Sequence, residues 1–315
     1  MNIKYKYFYI AILSAMSCGY YLYHSFDIKI EFKNKINQTN NTTHIKEYLP
    51  DDMVTYQYTK VEGEDIGKKF GDIEDIKKRG ELVVIGKKDD KNALFQIKIK
   101  DKKYVGKNIE IAKMIASYLG VRLRFRMLYT NYEDIVDAIE NGEGDIGIAK
   151  LSYTKERSRK VLYSLPYVIS RKMLLINRVS MVKSGKNDIN QLLNDQNSVI
   201  GTVKSTSYES FIRNIFPKAS LFLQEDWDQT IIPLLENGNI TAAMRDEIRI
   251  KLLLKENPKL LVKLLPIILK DEEDPISAIL NQESIGLLAF VDKCIAIEKC
   301  QENVDELMNK YEKIS

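Results

Sequence analysis

Between Asp72 and Ala149 the spacing of apolar residues switches repeatedly between helical and alternating periods. Ile73 to Arg79 has the spacing of a short helix with Gly80 as its stop, and Leu82-Val-Val-Ile85 is a compact apolar run of the kind that forms a buried strand. Leu94 to Ile99 alternates as a strand. Ile109 to Leu119 repeats its apolar positions at helical spacing, with Asn108 as the expected N-cap and Gly120 as the C-terminal stop. Val121 to Met127 alternates apolar and basic residues, Tyr132 to Glu140 is a second helix ending at Asn141-Gly142, and Asp145 to Ala149 is a strand. Strand, helix, strand, helix, strand predicts a mostly parallel α/β sheet.

A second α/β pattern follows. Strands are expected at Lys172–Asn177, Val199–Val203, Ser220–Leu223, Ile240–Met244 and Ser284–Phe290. Helices are expected at Ile189–Leu193, Ser205–Ile215, Thr230–Asn237, Ile248–Glu256 and Gln301–Lys313. The two patterns have similar build and are not a sequence repeat.

The N-terminal part breaks from both. Lys4 and Lys6 precede an uncharged stretch from Tyr7 to Tyr23, the arrangement of an export signal. At the lower edge of the length that spans a bilayer, the stretch is either cleaved or kept as an anchor with its lysines on the cytoplasmic side. Cys18-Gly19 is a poor match to a lipoprotein processing site. Residues 1–26 are therefore read as signal peptide or membrane anchor. Residues 27–71, with Asn37-Gln-Thr-Asn-Asn-Thr-Thr43, are read as a polar stalk, order being expected from near Asp72.

Composition narrows the function classes. The chain has 315 residues, 44% hydrophobic and 29% charged, with a net charge of +4 and its lysines interleaved with acids. That is an ordinary globular balance without the basic, aromatic-bearing stripe of a nucleic-acid binder. The only histidines, His24 and His44, lie in or near the leader, so neither a structural zinc site nor a histidine-based nucleophilic triad is expected. Cys294 and Cys300 are either a small-loop disulfide or two buried thiols.

The candidate chemistry lies at strand ends. The Asp145–Ala149 strand runs on through Lys150 to Ser152, Thr154 and Arg157. A guanidinium fork gives two parallel charge-assisted hydrogen bonds to a carboxylate. Thr206-Ser-Tyr-Glu209 reads as a capping box on a helix that directly follows a strand, and helix starts bind anions. Asp246 ends another strand, as an N-cap of the next helix or as a ligand for a cation. Together they make a cleft for a zwitterion: carboxylate on Arg157 with the helix start at Thr206 and Ser207, ammonium on Asp246 with the Ser152 hydroxyl.

Five segments in order, Ile76–Gly86, Val105–Lys113, Gly144–Arg157, Tyr163–Tyr167 and Leu235–Asp246, resemble the bacterial extracellular solute-binding proteins of family 3, the polar amino-acid receptors of ABC transporters. The resemblance covers residues 72 to about 315. It implies the periplasmic-binding-protein-like II fold, two α/β lobes joined by two crossover strands, with residues 72–168 plus 281–315 as lobe 1 and 169–280 as lobe 2. It implies a monomeric, extracytoplasmic, non-enzymatic receptor without cofactor or metal, partnered by an amino acid and an inner-membrane permease. Arg157 would bind the ligand carboxylate, Ser152 would offer its hydroxyl, Thr206 and Ser207 the second-lobe anion site and Asp246 the ammonium site. Tyr132 would pack on the ligand side chain, and Ala149 is a further ligand-binding candidate. Asp89 and Phe95 are candidates for the family's acid and aromatic in the first loop. The chain departs from the pattern at Lys150, where a small hydroxyl residue is usual, at Asn108 for Asp and at Ser205 for Gly. Lys150 would either pair with an acidic ligand group or repel an ammonium. A membrane-anchored sensor and a dehydratase-like enzyme, with Glu247 as its acid, are the alternatives on the same fold.

Overall fold

The computed structural model describes residues 48–60, 72–88, 94–99, 103–186 and 188–311. The leader stretch 7–23, Cys18, both histidines, most of the expected stalk and Asp89 lie outside the described residues.

In chain order the first half contains β1 (Val54–Gln57), α1 (Ile73–Arg79), β2 (Glu81–Lys87), β3 (Ile97–Lys98), β4 (Tyr104–Val105), α2 (Lys107–Leu119), β5 (Arg122–Tyr129), α3 (Tyr132–Glu140) and β6 (Ile146–Ser152). Then come β7 (Val161–Asn177), α4 (Arg178–Lys183), α5 (Ile189–Leu193), β8 (Val199–Val203), α6 (Ser207–Ile215), β9 (Ser220–Gln224), α7 (Ile232–Glu236), β10 (Ala242–Asp246), α8 (Glu247–Glu256) and α9 (Leu260–Lys263). The chain closes with β11 (Leu264–Asn281), α10 (Ile285–Ile297), β12 (Glu302–Asn303) and α11 (Val304–Tyr311).

The main sheet runs β1-β5-β2-β6-β11-β7-β10-β8-β9, with β12 on β7. Its parallel members, β1, β5, β2 and β6 on one side and β10, β8 and β9 on the other, form the two predicted α/β lobes. Two long strands join them. β7 and β11 pair antiparallel from Val161↔Asn281 to Asn177↔Leu264; β6 adds to β11 at one end and β10 to β7 at the other. Val84, Met114, Phe125 and Leu280 belong to one apolar cluster, which Ile248 and Leu252 of α8 also join, and Leu174, Ile200, Ile212 and Met244 belong to another.

Several expectations need correction. Order does not begin at Asp72: Val54–Gln57, inside the expected stalk, pairs parallel with β5 at the sheet edge. Its half-buried Tyr56 packs on the first-lobe core, which offsets a polar composition. Asn108 is not the N-cap of α2. Gly106 is, at φ 125°, where a Cβ would come within 2.5 Å of the Phe95 carbonyl group. Asn108 is buried and accepts from the Tyr167 hydroxyl at 2.9 Å. Ser284–Phe290 is not a strand but the first turns of α10, a 13-residue helix. A short apolar run carries no period of its own, and length decides it. Cys294 and Cys300 are buried free thiols, with Cys300 Sγ 3.3 Å from Met114 Sδ.

Candidate functional site

The parallel strands of both lobes deliver their C-terminal ends to one cleft. Tyr132, Lys150, Ser152 and Arg157 line it from the first lobe, and Thr206, Ser207, Tyr208, Arg245 and Asp246 from the second. The space between these side chains is about 20 Å3, little more than the ~10–15 Å3 one water requires. Lys150 and Asp246 meet across the cleft, and side chains from both walls occupy much of it.

Arg157 is 4% exposed. Its backbone N–H donates to Thr154 Oγ1 at 3.2 Å, which fixes the turn after β6. Its Nη1 donates to the Ser152 carbonyl at 3.2 Å, and its Nε and Nη2 donate to Glu133 Oε1 at 3.0 and 2.8 Å. The Tyr132 ring lies 5.8 Å from the guanidinium carbon. Glu133 is exposed and sits beside Tyr132 at the start of α3. One exposed carboxylate therefore occupies part of the Arg157 fork.

Across the cleft, α6 starts at Ser207 with Thr206 as N-cap, but the expected capping box is not formed. The Thr206 hydroxyl turns back and donates to the Val203 carbonyl at 2.6 Å, and Glu209 pairs with Arg213 on the outer face. Thr206 makes no side-chain cap hydrogen bond to the first turn of α6. Ser205 has φ 57°, the left-handed conformation for which glycine is the natural residue. The next residue of the helix, Tyr208, is 5% exposed and donates its hydroxyl to Asp274 Oδ2 at 2.7 Å. Burial pushes its pKa well up, reinforced by Asp274 and Asp246.

Asp246 is the N-cap of the next helix, and the cation it holds is the chain's own Lys150. Its Oδ1 accepts from the Arg249 N–H at 2.9 Å, capping α8, and from Lys150 Nζ at 2.8 Å. Lys150 and Asp246 are 7% and 2% exposed. Burial pushes the Asp246 carboxyl up, but the Lys150 and Arg245 charges outweigh it and hold the group below its ordinary range. Lys150 lies in an irregular stretch of the β6–β11 register, with φ 56°, and its Nζ is 5.5 Å from the Phe95 ring centre. Phe95 is thus brought to Lys150 from the core of the first lobe. Ala149 does not line the cleft; it packs with Ile135, Ile139 and Leu151.

Two lining residues, Tyr208 and Arg245, were not anticipated. Arg245 directly precedes Asp246 at the end of β10, and strand alternation alone would have turned it elsewhere. Its guanidinium lies 5.6 Å from the Trp227 ring centre, Nε is 3.7 Å from Asp246 Oδ2, and Nη1 is buried without a hydrogen-bond partner among the described residues. Glu247 is 1% exposed and held by Arg171 at 2.8 and 2.7 Å and by Lys251 at 2.7 Å. It is a buried structural acid, not one presented to the cleft.

Known proteins share this architecture. The model of bacterial extracellular solute-binding proteins, family 3, matches residues 83–313. The chain belongs to that family. It is 30% identical over 164 residues to a glutamine-binding protein of Geobacillus stearothermophilus, covering 51% of this chain and 60% of that one. It is 29% identical over 201 residues to membrane-bound lytic murein transglycosylase F of Citrobacter koseri, covering 63% and 37%. The family member thus spans less than two thirds of the length of these sequence relatives. Among solved structures it resembles an amino-acid ABC transporter substrate-binding protein of Streptococcus pneumoniae bound to L-arginine, at TM-score 0.58 and 25% identity, covering 76% of this chain and 96% of that one.

Proposed function

We propose that this solute-binding protein is an extracytoplasmic receptor that captures an amino acid, or a small carboxylate of amino-acid size, between its lobes and delivers it to an ABC permease. The carrying observation is the convergence of Arg157 and the start of α6 on one cleft. A buried guanidinium and helix N–H groups on opposite walls suit a carboxylate that bridges the lobes. Ligand held by both walls would favour closure over the open form, which is how binding energy becomes a signal to a permease. The relatives named for amino-acid binding support the ligand class, and the family description supports a place outside the cytoplasm. No described helix is long and apolar enough to cross a membrane.

Binding without turnover is favoured over the dehydratase-like alternative by the state of Glu247. Both its oxygens are engaged by Arg171 and Lys251, so it has no freedom to move a proton at the cleft.

A thermal-shift screen of the full-length chain against the free amino acids and small organic acids tests the reading. A ligand at a hundredfold excess over its dissociation constant should stabilise the fold by about 2.7 kcal/mol. Arg157→Ala should abolish that shift while moving the ligand-free melting point little, because Glu133, the carboxylate it releases, is exposed. No shift with any compound would refute the receptor reading.

A further inference from the structure

Lys150 lines the cleft but has no part in the receptor reading. Its ammonium reaches from the first lobe to Asp246 at 2.8 Å, and both groups are buried. An ammonium in that position offers the same three donors that the α-ammonium of an amino acid would offer. Lys150 has a left-handed backbone, φ 56°, a conformation that is unfavourable for a non-glycine residue. Asp246 Oδ1 is committed to Lys150 and to the Arg249 N–H. A second ammonium beside it would meet the like charge of the buried Lys150.

Apart from Lys150, the charged side chains of the described lining that are not acids are the two guanidiniums, Arg157 and Arg245. Arg245 has a buried Nη1 with no partner among the described residues, and Arg157 shares its fork with the exposed Glu133. Asp274, buried behind Tyr208, accepts from that hydroxyl and does not line the cleft. Two guanidiniums on opposite lobes, one of them unsatisfied, call for acceptors and not for a further donor.

We infer that Lys150 is a built-in substitute for the ligand ammonium, and that the cleft takes a small dicarboxylate without an α-amino group, one carboxylate on Arg157 and the other on Arg245. The inference rests on the receptor reading and gives it a ligand class. It separates this chain from a receptor for cationic or neutral amino acids, in which the ligand itself must neutralise Asp246.

Isothermal titration of the full-length chain with the free amino acids and with dicarboxylates from oxalate to adipate, 2-oxoglutarate included, tests it. A dicarboxylate should bind at least tenfold more tightly than the amino acid of matching length, as 2-oxoglutarate against glutamate. In Lys150→Met the order should reverse, because a ligand ammonium can then reach Asp246. Tighter binding of glutamate, glutamine or arginine than of every dicarboxylate in the unaltered chain would overturn the inference and leave the receptor reading standing. An unchanged preference in a folded Lys150→Met would overturn the role of Lys150. If that variant does not fold, the preference of the unaltered chain decides alone. No binding of any amino acid or dicarboxylate would overturn both readings.

Discussion

A buried ammonium is tolerated only when its charge is answered nearby, and among the described residues the Asp246 carboxylate answers Lys150. Removing one partner of such a pair costs about 3–5 kcal/mol, most of it from the charge left behind. Lys150→Met should therefore destabilise the ligand-free chain by that amount in urea unfolding. Lys150→Met with Asp246→Asn should recover most of the loss, because asparagine keeps the N-cap of α8 and no charge is left unpaired. A double variant as unstable as the single one would show that the cost lies in packing. The pH dependence follows from the depressed Asp246 carboxyl. Its contribution is complete above the unfolded carboxylate range and is lost as pH falls through the lower folded value. The acid limb of the stability curve should shrink in the double variant. Lys150 was visible in the sequence as a departure from the family pattern, and Asp246 as a strand-end acid. Their pairing was not visible, because strand order and local period do not state which strand ends face each other across a cleft.

At the scale of elements, apolar period located most helices and parallel strands but not the long connecting pair. The sequence pattern marks β7 only from Lys172 onward, since Tyr163-Ser-Leu-Pro-Tyr167 alternates irregularly and contains a proline, and it does not mark β11. Both run on as strands because each pairs with the other along nearly its whole length. The C-terminal helix α11 was legible by its period, but its anchorage was not. Lys310 Nζ lies 2.7 Å from Glu110 Oε2 and the Tyr311 hydroxyl donates to the same carboxylate, while the fully buried Lys107 lies 3.5 Å from Glu110 and 3.0 Å from Glu302. Burial pushes the Glu110 carboxyl up, yet Lys107 and Lys310 outweigh it and hold the group below its usual value. Glu110→Gln should cost about 3 kcal/mol, the low end for a broken buried pair, since Lys107 keeps Glu302. The loss should be present at neutral pH and vanish as acid protonates Glu110 in the unaltered chain. Equal denaturation midpoints at neutral pH would contradict it.

For the molecule as a whole, the closed arrangement rests on contacts of two kinds. Near the connecting strands, Ile248 and Leu252 of α8 join the apolar cluster that holds Val168 and Leu307, so the lobes are fastened there. At the mouth of the sheet ends they meet through charge, Lys150 on Asp246. A pivot about β7 and β11 would part the second contact and spare the first. A ligand that binds both walls favours the closed form only by its differential affinity for it, and the ion pair biases the same equilibrium without ligand. The chain's single tryptophan is placed to report this. Trp227 is 4% exposed and lies beneath Arg245, which lines the cleft. In Lys150→Met without ligand the open population should rise, Arg245 should lose its cover, and acrylamide should quench Trp227 more strongly than in the unaltered chain. Saturating ligand should restore the weaker quenching by closing the lobes through the guanidiniums. Identical quenching in both chains, with and without ligand, would mean that the ion pair holds α8 and does not govern closure.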